Sequence, residues 1–337
     1  MIAMIRVLVV DDSSFMRVKI KTLLESDPEI RLAGIARTGK EAVEKTLLLK
    51  PDVITMDINM PDMSGIGAVE HIMKLTPTPI IMVSSLTSDG TAETIEALEK
   101  GAVDTINKAE LNGEILIAKV RMAAKAVVNT SALFSQTNAI PLQATGRSFS
   151  IIGIGISTGG PKALSEFIPE ISQDISAGIV IAQHMPSAFI KSLAERLDAE
   201  SKIRVKEAAN GEILHPGCAY ICPGGMHMKV KAGGIFSLYP KETFPQCHYV
   251  PSADILMSSI GQTYGARALC IIMTGMGSDG LEGVRTAKKQ GSYIMAQSED
   301  SCTIYGMPKA IIANHLQHEV VSLADMGSRI NQLCIGD

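Results

Sequence analysis

At 337 residues the chain exceeds the roughly 250 to 300 at which a single hydrophobic core stops growing, so two domains are expected. Hydrophobic residues make up 46% of the chain and charged residues 20%, an ordinary globular composition that leaves little room for a long disordered region. Lys and Arg number 31 against 35 Asp and Glu, with no basic run or stripe, so nucleic acid finds no electrostatic footprint.

The apolar opening from Met1 to Val10 is stopped by Asp11 and Asp12, too early for a signal h-region with a cleavage site. No later apolar run approaches the roughly 18 residues of a membrane helix. The six cysteines are scattered through the second half without a C-x-x-C pair, which suits reduced thiols better than a disulfide framework. A folded, soluble, cytoplasmic protein is expected, with no membrane insertion and no nucleic-acid partner.

In chain order, short β-branched runs at Arg6 to Val10, Arg31 to Ala36, Val53 to Met56, Ile80 to Val83 and Val103 to Ile106 predict five strands, with helical patterns between them. Strands alternating with helices imply a parallel sheet covered on both faces. From about Val127 to Arg147 the chain is polar, punctuated by Pro141 and Gly146, and lacks any sustained period, as in a linker. A second α/β series begins at Ser150 to Ile156, continues at Gly178 to Ala182 and reaches Ala268 to Met273, with shorter strand signals between Pro216 and Leu238. The predicted fold class is α/β: a flavodoxin-like (β/α)5 domain over residues 4–124, a linker over 125–148, and a doubly wound, mainly parallel, Rossmann-like domain over 149–337.

Strand ends in the first domain carry Asp11 and Asp12, Asp57, and Lys108, and in an open parallel sheet those positions converge. Clustered carboxylates without thiolate or imidazole suit a hard divalent ion such as Mg2+. Asp57 is then a candidate nucleophile toward a phosphoryl group whose oxygens Lys108 pairs.

Asp11-Asp12, the stretch Met56-Asp57-Ile58-Asn59-Met60-Pro61-Asp62-Met63-Ser64-Gly65, Ser84 and Lys108 together resemble a two-component response-regulator receiver. The resemblance implies phosphorylation of Asp57 by a sensor histidine kinase. It implies Mg2+ held by Asp11, Asp12, Asp57 and the Asn59 carbonyl, with Ser84 and Lys108 sensing the phosphoryl group. The sequence departs from the family at Lys108-Ala109, usually Lys-Pro, and at Thr105, near the usual aromatic switch residue.

In the second domain a predicted strand runs into Gly155-Ile156-Ser157-Thr158-Gly159-Gly160-Pro161, and a helical pattern follows. G-x-S-x-G between strand and helix fits a nucleophile elbow. The same residues begin like a dinucleotide fingerprint, but Thr158 occupies the third glycine position, and the next strand ends in Gln183-His184 rather than in the acid that a ribose needs. The strand Ala268 to Met273 ends in Thr274-Gly275-Met276-Gly277-Ser278-Asp279-Gly280. Serine, histidine and aspartate thus each follow a parallel strand, which suits a nucleophile, its base and an orienting carboxylate. The chain order Ser, His, Asp differs from that of α/β-hydrolases, and on spacing alone Asp254 and Asp300 are equally open as the third member.

These motifs, with Gln183-His184-Met185-Pro186, Pro223-Gly224-Gly225-Met226-His227, Pro251-Ser252-Ala253-Asp254 and Tyr305-Gly306-Met307-Pro308, resemble the chemotaxis protein-glutamate methylesterases. That resemblance implies Ser157 as nucleophile, His184 as general base and Asp279 as orienting carboxylate. Backbone N–H groups of Thr158 and Met276 are candidates for the oxyanion hole. It further implies hydrolysis of glutamate γ-methyl esters on chemoreceptors with release of methanol, together with deamidation of receptor glutamines and no cofactor for the ester chemistry. Through a linker the receiver stays at high effective concentration, so it can cover the Ser157 site until Asp57 is phosphorylated. The alternatives are a receiver joined to an inactive binding module or to a dinucleotide-dependent enzyme. His215, Cys218, Cys222 and His227 fall within thirteen residues, but match no zinc pattern. The eighteen methionines are expected to pack.

Overall fold

A computed structural model describes residues 4–85, 88–128 and 148–335. The chain divides into two compact units, Met1–Gln136 and Thr137–Asp337. Most of the expected linker lies outside the described residues.

The first unit runs β1 (Ile5–Val10), α1 (Ser14–Leu24), β2 (Ile30–Ala36), α2 (Gly39–Leu49), β3 (Val53–Met56), α3 (Gly65–Leu75), β4 (Ile80–Ser84), α4 (Ser88–Glu99), β5 (Asp104–Asn107) and α5 (Gly113–Ala123). The strands form a parallel sheet ordered β2-β1-β3-β4-β5. Val7 to Val10, Val53 to Met56 and Ile80 to Val83 are continuous buried runs, the signature of strands covered on both faces. Each predicted strand is present to within one residue at its ends. Side chains of Ser13, Thr38, Ser64 and Asn112 cap α1, α2, α3 and α5 by accepting backbone N–H groups, which ends each loop where the periodic pattern begins. A side chain at Gly65 would strike the carbonyl oxygen of Asp57; glycine there lets α3 start against the end of β3.

The second unit continues with β6 (Ile151–Ile156), α6 (Gly160–Phe167), β7 (Gly178–Gln183), α7 (Ser187–Glu200), β8 (Arg204–Glu207), β9 (Cys218–Ile221), β10 (Met226–Lys231) and β11 (Ile235–Pro240). Then come α8 (Ala253–Tyr264), β12 (Ala268–Ile272), α9 (Leu281–Lys289), β13 (Tyr293–Gln297), α10 (Met307–Ala313), β14 (Glu319–Val321) and α11 (Leu323–Cys334). Seven strands form a parallel sheet ordered β14-β13-β12-β6-β7-β9-β8, and β10-β11 is a separate antiparallel hairpin. From β6 the chain fills one side of the sheet, then returns at β12 to fill the other. The seam between β6 and β12 is therefore a topological switch point, where the loops after neighbouring strands part and leave a crevice.

Three strands of this sheet have no counterpart in the sequence reading. Of these, β8 (Arg-Val-Lys-Glu) and β14 (Glu-Val-Val) are short edge strands with partly exposed polar residues, so little apolar periodicity announces them. The third, β13, is buried but contains Met and Ala in place of a β-branched run. Among the described residues no helix is long and apolar enough to cross a membrane.

Candidate active site

The loop after β6 turns at once. Ser157 N–H donates to Thr274 O (2.9 Å), Gly160 N–H donates to Ser157 O (2.8 Å), and Gly159 takes φ 77°, which glycine adopts without steric cost. The left-handed residue of this turn is Gly159. Ser157 is not among the non-glycine residues of positive φ, which are Lys50, Asp62 and His315 in the described chain.

The register of β6 on β7 puts Ile156 opposite Gln183, and His184 N–H donates to Ile156 O (3.1 Å). Ser157 and His184 therefore leave adjacent strands side by side. Gln183 holds the two loops together, its Nε2 donating to both Ser157 O and His184 O at 3.1 Å. Gly160 faces that amide so closely that a side chain would collide with it.

His184 Nε2 meets Asp279 Oδ2 at 2.8 Å. The carboxylate also accepts from Ser252 Oγ (3.0 Å), Ala253 N–H (2.7 Å) and Asp254 N–H (3.1 Å), so it lies against the N-terminus of α8, where the unpaired N–H groups and the helix dipole favour an anion. Burial alone would push this carboxyl up. The hydrogen bond and charge of His184, with the two backbone N–H groups, outweigh it and hold Asp279 below the usual carboxylate range. With Nε2–H engaged by Asp279, the ring nitrogen left to accept a proton is Nδ1, which is buried and has no hydrogen-bond partner among the described residues. This reverses the ring relative to a triad in which Nδ1 faces the carboxylate. Ser157 Oγ makes no hydrogen bond to Nδ1 in this structure; bonds between a nucleophile and its base commonly tighten only when substrate binds.

Of the other carboxylates left open by the sequence, Asp254 accepts Gly283 N–H (2.7 Å) at the start of α9, and Asp300 accepts Ser298 Oγ on a surface turn. Neither bonds His184. Thr158 is buried, and Met276 is 44% exposed. The loop carrying Met276 is pinned by Gly275, whose N–H donates to Ile304 O (3.0 Å) and whose carbonyl accepts from Gly306 and Met307. The buried Thr274 hydroxyl donates to Thr158 O (3.0 Å) and accepts Ile304 N–H (3.0 Å), so the loops after β6 and β12 and the segment before α10 form one braced frame.

In the first unit, carboxylate oxygens of Asp11, Asp12 and Asp57 lie within 4.8 Å of one another. Lys108 Nζ bridges Asp11 Oδ2 (3.0 Å) and Asp57 Oδ2 (2.8 Å). Burial, reinforced by the negative charge of Asp11, pushes the Asp57 carboxyl up despite its bond to Lys108. Burial would lower Lys108, but its two carboxylate partners hold it above its usual value. Two buried acids share one cation, an anionic surplus that a divalent ion would relieve. The donor set, all oxygen, fits Mg2+. Ser84 Oγ is buried at the end of β4 and accepts from Thr94 Oγ1 (3.0 Å). Asn59 lies exposed in the loop after β3. At the departure from the family pattern, Ala109 N–H donates to Asn107 Oδ1 (3.0 Å) and Lys108 N–H donates to Ser84 O (2.8 Å), so a side-chain turn fixes the lysine backbone where a proline is usual.

The His and Cys residues between 215 and 227 do not gather. His215 is exposed while Cys222 and His227 are buried, and among the described residues the group of three or more potential metal ligands is Asp11, Asp12 and Asp57.

Residues 152–330 match the family model described as CheB methylesterase, and residues 7–121 match the response regulator receiver domain. A protein-glutamate methylesterase/protein-glutamine glutaminase of Lawsonia intracellularis is 42% identical, with 97% of this chain and 98% of the relative covered. The chain belongs to the CheB methylesterase family. A similarly named protein of Halalkalibacterium halodurans is also 42% identical, with 98% of each covered. The crystal structure of the Thermotoga maritima CheB methylesterase catalytic domain, 35% identical, covers 55% of this chain and 99% of its own length at a TM-score of 0.53. Within this CheB-type unit, Gln183, Thr274 and Ser252, through hydrogen bonds, and Tyr249, stacked on the His184 ring, are neighbours of Ser157, His184 and Asp279 to which the sequence reading assigns no role. The available signal was a polar residue closing an otherwise apolar strand, as with Gln183 at the end of β7.

Proposed function

We propose that Ser157, His184 and Asp279 hydrolyse glutamate γ-methyl esters on chemoreceptors, and deamidate receptor glutamines by the same route, under control of phosphorylation at Asp57. The observation that carries the reading is the His184–Asp279 bond at 2.8 Å, made at the ends of the strands that flank Ser157 in a chain of this family.

In this mechanism Ser157 Oγ attacks the γ-carbonyl carbon as His184 Nδ1 takes its proton. Asp279 keeps the proton on Nε2 and stabilises the imidazolium that forms. N–H groups of Thr158 and Met276 receive the developing oxyanion. His184 then returns the proton to the departing methoxide, so methanol leaves and an acyl-serine remains. Water, deprotonated by His184, attacks that acyl group, and Ser157 is released with a free glutamate. With glutamine as substrate the leaving group is ammonia, and the later steps are identical. The ester chemistry asks for no cofactor.

On the receiver, a kinase supplies the phosphoryl group to Asp57, and Lys108 and Ser84 meet its oxygens. Asp11, Asp12, Asp57 and the Asn59 carbonyl would hold Mg2+. When bound, the ion would supply charge neutralisation for the incoming phosphoryl group. We place the protein in the cytoplasm, where the phosphodonor kinase acts.

Methanol release from methylated receptor membranes tests the proposal. Intact protein should release methanol and Ser157→Ala should not; equal release by a folded Ser157→Ala protein would refute it.

A further inference from the structure

Tyr249 lies in the segment between β11 and α8, and its ring stacks on that of His184 with centroids 4.9 Å apart and planes 11° from parallel. Its hydroxyl end rests on the loop after β12: a side chain at Gly277 would collide with the phenol oxygen. Three residues further on, Ser252, Ala253 and Asp254 hold the carboxylate that binds His184. One short segment therefore reaches the imidazole from two directions, edge-on through Asp279 and face-on through Tyr249.

A single hydrogen bond at Nε2 fixes where one edge of the imidazole points but leaves the ring free to roll about that bond. Nδ1 has no partner to stop it. A flat aromatic surface parallel to the ring removes the roll and so fixes the direction of the Nδ1 lone pair. Stacking also places the face of a π system, its negative side, over a ring that becomes cationic during the reaction. We infer that Tyr249 is a positioning residue for the general base: its ring aims His184 Nδ1 at Ser157 and favours the imidazolium. The inference rests on the esterase reading given above.

The test uses the full-length protein with Tyr249→Phe, Tyr249→Leu and Tyr249→Ala. Phenylmethanesulfonyl fluoride reports the reactivity of Ser157 without any receptor, and methanol release gives kcat and KM. Tyr249→Phe keeps the π face and should sulfonylate Ser157 within about twofold of the wild type. Leu fills space without a π face and Ala does neither, so both should react about tenfold more slowly, with kcat falling in parallel and KM steady, as loss of orientation requires. Wild-type reactivity in Tyr249→Leu would overturn the inference, since the ring would then be a space filler. So would a loss in Tyr249→Phe equal to that in Ala, or a change confined to KM. Failure of the reagent to label Ser157 in the wild-type protein would instead strike at the esterase reading itself.

Discussion

Each half of this chain buries an aspartate at the C-terminal edge of a parallel sheet, and the two aspartates are driven in opposite directions. Asp57 meets one lysine that it must share with Asp11, and burial wins: its carboxyl is pushed above the usual range. Asp279 is as deeply enclosed, yet His184, the Ser252 hydroxyl and two N–H groups of the α8 terminus surround it, and these partners win over burial. Burial sets the cost of a charge; the count and type of donors decide whether that cost is met. The difference matches the proposed tasks. A carboxylate that stays an anion and orients a base needs saturated partners, whereas one that receives a phosphoryl group beside a cation needs unspent affinity.

The comparison is sharpest where the chemistry is removed outright. His184→Ala should lower kcat about as much as Ser157→Ala, on the order of 10⁶ if the three residues act as a unit, with folding unchanged by circular dichroism. Asp279→Asn should cost about 10⁴, because an amide can no longer take the Nε2–H bond as an anion. Asp57→Asn, the same change at the other aspartate, should leave the unstimulated rate within about twofold. If the two asparagine variants behaved alike in unstimulated turnover, the division of roles would fail.

Stability against pH separates the two aspartates further. Asp279 has a folded value below the ordinary 3.8, so its contribution is present above the unfolded value and is lost only as pH falls through the folded one. Asp57 has a folded value above 3.8, so its contribution is full below the unfolded value and lost as pH rises through the folded one. A permanently neutral Asp57→Asn retains that contribution at pH 7, and the receiver should melt a few degrees higher than the wild type. Mg2+ should raise the melting temperature of the wild-type receiver and have little effect on the variant. A receiver destabilised by Asp57→Asn would show that the Lys108 bond outweighs burial after all.

The smallest effect expected is at Gln183, the tie between the two catalytic loops. Gln183→Leu should lose about 1 kcal/mol, read by urea denaturation, because both amide bonds go while Ser157 O keeps its bond from Gly160 N–H. Unchanged stability would mean that β6 and β7 hold Ser157 and His184 without it.

How much of this was legible from residue order depends on scale. Long β-branched runs announced β1 to β5, β6, β7 and β12, because strands buried on both faces must be apolar throughout. Ser157, His184 and Asp279 could be placed at one edge because each follows such a strand. What the order of residues could not supply was pairing: spacing left Asp254 and Asp300 as open as Asp279, the resemblance alone favoured Asp279, and the physical reason is the packing of α8 against the loop after β12. Tyr249 was invisible for the same reason, since nothing local says which face of which ring an aromatic residue will cover. Nor could the sequence say that Nε2 would take Asp279 and leave Nδ1 for Ser157. The edge strands β8 and β14 escaped because half-exposed polar residues leave no periodic trace.

The most direct test of phosphorylation control is methanol release by the intact chain with and without a small phosphodonor and Mg2+, alongside Asp57→Asn and a fragment of residues 147–337. Phosphodonor should accelerate the intact chain and leave Asp57→Asn unchanged, and the fragment should outpace the unphosphorylated intact protein. A fragment slower than the unphosphorylated chain, or an Asp57→Asn variant that still responds to phosphodonor, would contradict control of Ser157 through Asp57.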